Sequence, residues 1–353
     1  MASAATAPAT TTTSTSATST GSWSKAAPSW RRSAPTAPTS SGASGRFATP
    51  TCGVPRRRSR SSGPGCRSPA RRGGHEMSTA VPPRPSQASM RRMLAVLAPM
   101  RRWVDPKVSG LENLPSDRGC LIVGNHSLYG VYDLLIATEL YRRTGVIARG
   151  LFDHDHLRIP VWRDALRAIG GVHGTRENCA ELMRQGEVIA VFPGGAREVW
   201  KKPGQRYQLL WGERLGFARM AIQHGYPIVP LSQLGADETY DIHFDVDHPL
   251  AGPYRAAVDR LGLRRDNVPS FGLGWGPTPL PRSQDAYLHF HRPIETERLA
   301  GRHDDRKTLE RVRDQVAAAI QDGLQRLAGE RARHGNPGVV PRVRRFITGG
   351  PQQ

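Results

Sequence analysis

The sequence predicts an α/β fold, a mostly parallel sheet flanked by helices, built as a single domain after a disordered N-terminal tail. Three observations predict it. From residue 120 onward, short apolar runs that end in glycine or proline alternate with segments whose apolar residues recur every three or four positions. Strands separated by helices favour parallel pairing, because each crossover returns through a helix. The first 87 residues, by contrast, are built from Ala, Ser, Thr, Pro, Gly and Arg with hardly any large aliphatic side chain, so they cannot offset their ordering entropy. The domain is therefore expected over residues 88–330, with a flexible tail at 331–353. Met77 opens a more usual composition and is expected to be the translation start.

The elements follow in order. Residues 120–124 form an apolar run closed by Gly124 and read as a buried strand. A helix is expected over 132–143, a strand over 146–150 and a helix over 159–169. Thr175 is placed to cap a helix running through Met183, with Gly186 closing it. Residues 188–192 form the clearest strand, stopped by Pro193, Gly194 and Gly195. A helix is expected over 212–224 and a proline-interrupted strand over 227–231. The Gly- and Pro-rich stretch 251–283 is a long excursion before a strand at 286–291. Leu309, Val312, Val316, Ile320, Leu324 and Leu327 then mark one apolar face of a C-terminal helix.

Charge narrows the function classes. The formal net charge is +20, but half of it lies in the first 76 residues. A moderately basic domain suits an anionic membrane surface or a phosphate-rich cosubstrate. Nucleic acid is not expected, since the chain carries no zinc-finger spacing and no RNA-recognition signature. The four cysteines show no metal spacing and fit a reduced, cytoplasmic setting. No stretch approaches the ~18–20 apolar residues that cross a bilayer. The short run from Met93 to Met100, flanked by Arg91, Arg92, Arg101 and Arg102, fits either a helix lying in the headgroup region or an amphipathic helix packed on the domain.

Two constellations carry chemistry. The first runs from Gly124 through Asn125 and His126 to Asp133. A buried strand would deliver His126 to the carboxyl edge of the sheet, where α/β folds place ligands. An imidazole there can take a proton from a hydroxyl attacking an acyl carbonyl, if a carboxylate holds its tautomer. In one continuous helix, residues 126 and 133 would lie about 10 Å apart along the axis. Gly130 offers the turn that brings Asp133 back over the imidazole; the plainer reading leaves His126 as a strand-end packing residue. The second constellation is Phe192, Pro193, Gly194, Gly195, Ala196, Arg197 and Glu198, again after a buried strand. Adjacent glycines expose backbone N–H groups, Arg197 adds positive charge, and Glu198 can pin that charge or a substrate hydroxyl. Alone, a Pro-Gly-Gly turn is more often only a turn.

Together these residues resemble the acyltransferase superfamily of glycerolipid synthesis, the lysophosphatidate and glycerophosphate acyltransferases. Asp133 stands two residues farther from the histidine than the superfamily's usual spacing, and Gly194 stands where glutamate is common. Both departures resemble the mono- and diacylglycerol acyltransferase branch. The similarity extends through residues 174–178, 207–212, 216–219 and 228–231, covering about residues 100–300. The resemblance implies a glycerolipid acyltransferase-like fold and an O-acyltransferase taking its acyl group from acyl-CoA or another thioester to a lipid hydroxyl. It implies His126 as general base and Asp133 as its orienting partner. Asn125, Gly194, Gly195, Arg197 and Glu198 would line the acceptor pocket. Arg149, Arg176, Lys201 and Lys202 are candidates for the CoA phosphates, although each singly reads as surface charge. No bound cofactor is implied, acyl-CoA being a co-substrate. Expected partners are the lipid alcohol and an anionic membrane surface, with peripheral association on the cytoplasmic face.

His154 and His156 alternate in a polar loop without a clear third ligand, so no metal site is expected. A lipid esterase would ordinarily need a Gly-x-Ser-x-Gly elbow, which the folded region lacks. A catalytically silent lipid-binding protein of the same fold is the other alternative.

Overall fold

The computed structural model describes residues 81–130, 132–154, 156, 160–261, 268–278, 281–282, 284–335 and 343. The expected start at Met77 and most of both expected tails lie outside these residues. In chain order the described strands are β1 (Lys107–Ser109), β2 (Leu121–Gly124), β3 (Ala148–Phe152), β4 (Val172–His173), β5 (Val188–Val191), β6 (Ile228–Leu234), β7 (Asp241–Phe244), β8 (Phe271–Leu273) and β9 (Tyr287–Phe290). The described helices are α1 (Gln87–Val104), α2 (Asp133–Thr144), α3 (Pro160–Ala168), α4 (Arg176–Arg184), α5 (Ala196–Val199), α6 (Gly216–Gln223), α7 (Gly252–Arg260) and α8 (Arg306–His334).

Seven strands form one sheet in the order β1-β9-β6-β2-β5-β3-β4, and β7 and β8 pair separately. Every neighbouring pair in the large sheet is parallel except β6 with β9. The sheet is thus mostly parallel and flanked by helices, as the alternating pattern requires. β2 occupies its centre, between β5 and β6, and all four of its residues are buried. Alternation along the strand divides the core into two layers. Leu121 and Val123 face α4, α6 and α8 through Leu182, Phe217, Val316 and Ile320. Cys120 and Ile122 face α2 through Ile136 and Leu140.

Local chemistry sets the boundaries. Thr175 caps α4 by accepting from the Asn178 amide, and Gly186 takes a left-handed turn behind it. The helix expected from residue 212 starts only at Gly216, because Gly212 itself adopts a positive φ of 56°. The excursion at 251–283 contains α7 and β8, and β8 pairs antiparallel with β7.

The expected domain start at 88 comes too late. Before it, the Pro82 carbonyl accepts from buried Arg149, and Arg84 donates to Glu187 at 2.6 Å. The C-terminal helix likewise continues past 330 to His334. α1 follows the packed-helix reading: Met90, Met93 and Val104 are buried, and Arg101 pairs with Glu139 of α2. Among the described residues, no helix is long and apolar enough to cross a membrane.

Candidate active site

Three adjacent strands, β5, β2 and β6, run parallel and end at the same edge of the sheet. His126 follows β2, the Pro193–Gly195 turn follows β5, and Gln233 and Asp237 lie at and just beyond the end of β6. Proximity among residues far apart in sequence therefore comes from the parallel register.

Chain reversal between His126 and Asp133 takes a tight path. Residues 128–130 make one 3-10 turn in which Tyr129 and Gly130 both adopt positive φ, 57° and 66°. The Gly130 amide donates to the Ser127 carbonyl at 3.0 Å. Asp133 thereby becomes the first residue of α2, where the helix dipole favours its carboxylate. Its Oδ1 accepts from the Ser127 amide at 3.2 Å and from Gln233 Nε2 at 2.8 Å. Its Oδ2 lies 2.5 Å from His126 Nδ1. That contact is close but off-axis, since neither atom meets the angular requirement of a hydrogen bond. Burial pushes the Asp133 pKa up, but the charge and contact of His126, with the bonds from Gln233 and Ser127, outweigh it and hold the carboxyl below its usual range. Phe192 stacks on the imidazole at 4.7 Å. Gly124 permits this approach, since a Cβ there would press on the Phe192 ring at 3.1 Å.

The backbone of His126 is clamped at both ends. Its amide donates to Glu198 Oε2 at 2.7 Å, and its carbonyl accepts from Lys201 Nζ at 2.9 Å. Glu198 is fully buried and also accepts from the Leu210 amide at 2.7 Å; its pKa is raised by burial. Lys201, 2% exposed, donates to Asp237 Oδ2 at 2.7 Å. Asp237 in turn accepts from the Tyr207 amide at 2.7 Å and the Leu128 amide at 3.3 Å.

Several expected roles are corrected by these placements. Asn125 does not face an acceptor: it is buried and exchanges amide bonds with the Gln233 backbone, tying β2 to β6. Gly194 does not line a pocket either, because the Glu198 carboxylate fills the space its side chain would take. Glu198 is spent on two backbone amides rather than on a substrate hydroxyl. The Gly195 amide is engaged with the Phe192 carbonyl at 3.1 Å, although its φ of 51° does require glycine. Lys201 is interior, so it is not a surface contact for phosphates. Arg149 belongs to the opposite edge, fully buried against the Gly170 and Pro82 carbonyls and Glu187. Arg176, exposed at the start of α4, and Lys202, paired with Asp247, remain at the surface. Arg197 lines a cleft of about 590 Å³ with Trp200, Lys202, Leu210 and Val246. Leu210 belongs to this cleft and shares the Glu198 carboxylate with the His126 amide, so one carboxylate joins the cleft wall to the His126 backbone.

Gln233, Asp237 and Arg214 had no signal in the sequence. Arg214 Nη1 donates to the Pro193 carbonyl at 2.6 Å and the Gly194 carbonyl at 2.5 Å, fixing the turn. Among the described residues, no group of three or more His, Cys, Asp or Glu is arranged to hold a metal.

Comparison with known proteins places this geometry in context. The family model described as Acyltransferase matches residues 105–233, a span holding His126, Asp133, the Pro-Gly-Gly turn, Lys201 and Gln233. A human protein named DGAT1/2-independent enzyme synthesizing storage lipids is 33% identical over 129 residues, covering 36% of this chain and 40% of that protein. Phytyl ester synthase 2, chloroplastic, of Arabidopsis thaliana is 27% identical over 255 residues, covering 67% of this chain and 36% of that protein. An uncharacterized protein of Mycobacterium bovis is 31% identical over 254 residues, covering 67% of each chain. The chain thus spans well under half the length of the human and plant relatives.

Proposed function

The chain belongs to the acyltransferase family of glycerolipid synthesis, and from that premise we propose that it moves a fatty acyl group from a thioester such as acyl-CoA to a hydroxyl of a lipid alcohol. The observation that carries this reading is the 2.5 Å approach of His126 Nδ1 to Asp133 Oδ2 at the carboxyl edge of the central strands. With Nδ1 turned to the carboxylate, Nε2 is the nitrogen left to serve as base. The acceptor O–H gives its proton to Nε2 as its oxygen bonds to the thioester carbonyl carbon. Collapse of the tetrahedral adduct breaks the C–S bond, and the proton on Nε2 passes to the departing thiolate.

The names of the human and plant relatives, a storage-lipid enzyme and a phytyl ester synthase, support a neutral lipid alcohol as acceptor. Arg176 and Lys202 are proposed to meet the phosphates of the donor, and Arg197 to line the acceptor cleft.

Incubation of the purified protein with labelled acyl-CoA and a mixture of diacylglycerol and long-chain alcohols tests the reading. Ester product is expected, and His126→Ala should lower its formation by at least about a thousandfold while the circular dichroism spectrum is kept. Free fatty acid as the sole product would make the protein a hydrolase, and undiminished transfer by His126→Ala would remove the proposed base.

A further inference from the structure

Among the described residues, five of the nine large apolar side chains left exposed are Leu250, Leu261, Phe271, Leu273 and Trp275, so exposure is concentrated between residues 250 and 275 rather than scattered. Phe271 and Leu273 alternate with Gly272 along β8 and so share one face of the strand, and Trp275 lies in the bend two residues beyond its end. They are 53%, 40% and 58% exposed. Phe271 is packed by neighbouring rings: Tyr254 of α7 meets it edge-on at 5.6 Å, and its cross-strand partner Phe244 of β7 lies 6.1 Å from it.

Positive charge borders this row. Asp241, paired across the hairpin with Leu273, binds both Arg206 and Arg282, and two guanidinium groups on one carboxylate leave a net positive charge there. By sequence, residues 241–282 carry five Arg and five Asp, so the positive excess beside the row is that of Arg206 and Arg282 together on Asp241. The row is also joined to the candidate site. Tyr129, three residues beyond His126, donates to the Ser270 carbonyl at 2.9 Å, and Ser270 Oγ donates to the Trp200 carbonyl at 3.1 Å. The other apolar stretch considered for lipid contact, on α1, has turned Met90 and Met93 inward.

We propose that the β7–β8 hairpin docks on an anionic lipid bilayer, with Phe271, Leu273 and Trp275 inserted at the headgroup boundary and the neighbouring arginines on lipid phosphates. An aromatic and aliphatic row with a cationic margin is the chemistry of interfacial binding. Tyr129 lies against the opposite face of β8, at Gly272, so docking there would hold the turn that follows His126 one strand's thickness from the bilayer. The choice of bilayer over protein partner rests on the lipid-acceptor reading given above.

The test is co-sedimentation of the full chain with vesicles of phosphatidylcholine alone and of phosphatidylcholine mixed with phosphatidylglycerol. Binding is expected to be stronger on the anionic vesicles and to weaken with salt. Phe271→Ser should lower partitioning by about tenfold, and the Phe271→Ser/Trp275→Ser pair by about a hundredfold, from the apolar area withdrawn from the boundary. Val96→Ser, at an exposed position of α1, should bind as the parent does. Unchanged binding by the paired variant overturns the proposal, as does loss of binding with Val96→Ser alone. A parent dimer that the paired variant turns into a monomer overturns it too, placing a second copy on the face. Transfer to a soluble short-chain alcohol without vesicle binding would overturn the docking and leave the reaction standing. Vesicle binding that depends on Phe271 and Trp275, in a chain that transfers no acyl group, would uphold the docking and refute the reaction.

Discussion

Lys201 is a cation with almost no water around it, held by one carboxylate and one carbonyl. A buried pair of this kind contributes little net stability, yet removing one partner leaves the other charge uncompensated and costs about 3–5 kcal/mol. The carbonyl it holds belongs to His126, so Lys201 acts as a positioning residue for the imidazole. Lys201→Met should therefore lose stability by that amount in urea denaturation. Lys201→Met/Asp237→Asn should recover much of the stability by removing the stranded charge. The double variant should still show a kcat reduced by about tenfold or more with KM little changed, because the His126 carbonyl has lost its donor. Full recovery of kcat along with stability would reduce Lys201 to a purely structural role. The sequence hides this residue: it stands beside Lys202 in a polar stretch, 75 positions from the carbonyl it serves. A lysine reads as solvated unless its acid partner is known, and Asp237 lies 36 positions farther on, beyond another strand.

The turn that carries Tyr129 and Gly130 shows how far local chemistry can be read and where it stops. Gly130 was identifiable as the bend because seven residues of helix would hold His126 and Asp133 about 10 Å apart. The presence of the buried strands was legible for a similar reason: continuous apolar runs such as 120–124 and 188–192 have few ways to be covered except from both faces. Strands β1 and β4, three and two residues long, carry too few side chains to show a period. The same limit hid the antiparallel entry of β9, since strand direction is set by the connection and not by the strand's own residues. Glycine chemistry gives two contrasting expectations. At Gly130, a Cβ would sit 3.4 Å from Asp133 Oδ2, an ordinary contact, so Gly130→Ala pays only for its positive φ, about 1–2 kcal/mol. At Gly194, a Cβ would overlap the Glu198 carboxylate, which must leave the His126 and Leu210 amides to make room. Gly194→Ala should thus lower activity by about a hundredfold or more, while Gly130→Ala should lower it less and chiefly reduce Tm. Equal effects of the two substitutions on activity would contradict the assignment of Glu198 to the His126 backbone.

The whole domain carries the electrostatic consequence of burying these groups together. Burial works against the Asp133 carboxylate, but the charge and close contact of His126, with the hydrogen bonds from Gln233 and Ser127, more than offset it, so its folded pKa lies below the unfolded value of about 3.9. A depressed acid binds fewer protons folded than unfolded. Its stabilising contribution is thus present in full above the unfolded pKa and is lost as pH falls through the folded one. Glu198 acts in the opposite sense: burial raises its pKa, so its contribution is present below the unfolded value and is lost as pH rises toward the folded one. One acid meets the His126 imidazole and the other its backbone amide, and their opposed linkage can be separated by substitution. The Tm difference between parent and Asp133→Asn should be widest above about pH 5 and close progressively on acidification below about pH 4. Parent and Glu198→Gln should differ in the slope of Tm above about pH 4, the variant lacking the fall that ionisation of its unfolded chain imposes on the parent. Calorimetric scans of the three proteins from acid to neutral pH measure both differences in one series. A parent-to-Asp133→Asn gap that stays constant across that range would mean that Asp133 is not held ionised by His126, and the pairing at the centre of the site would lose its electrostatic basis.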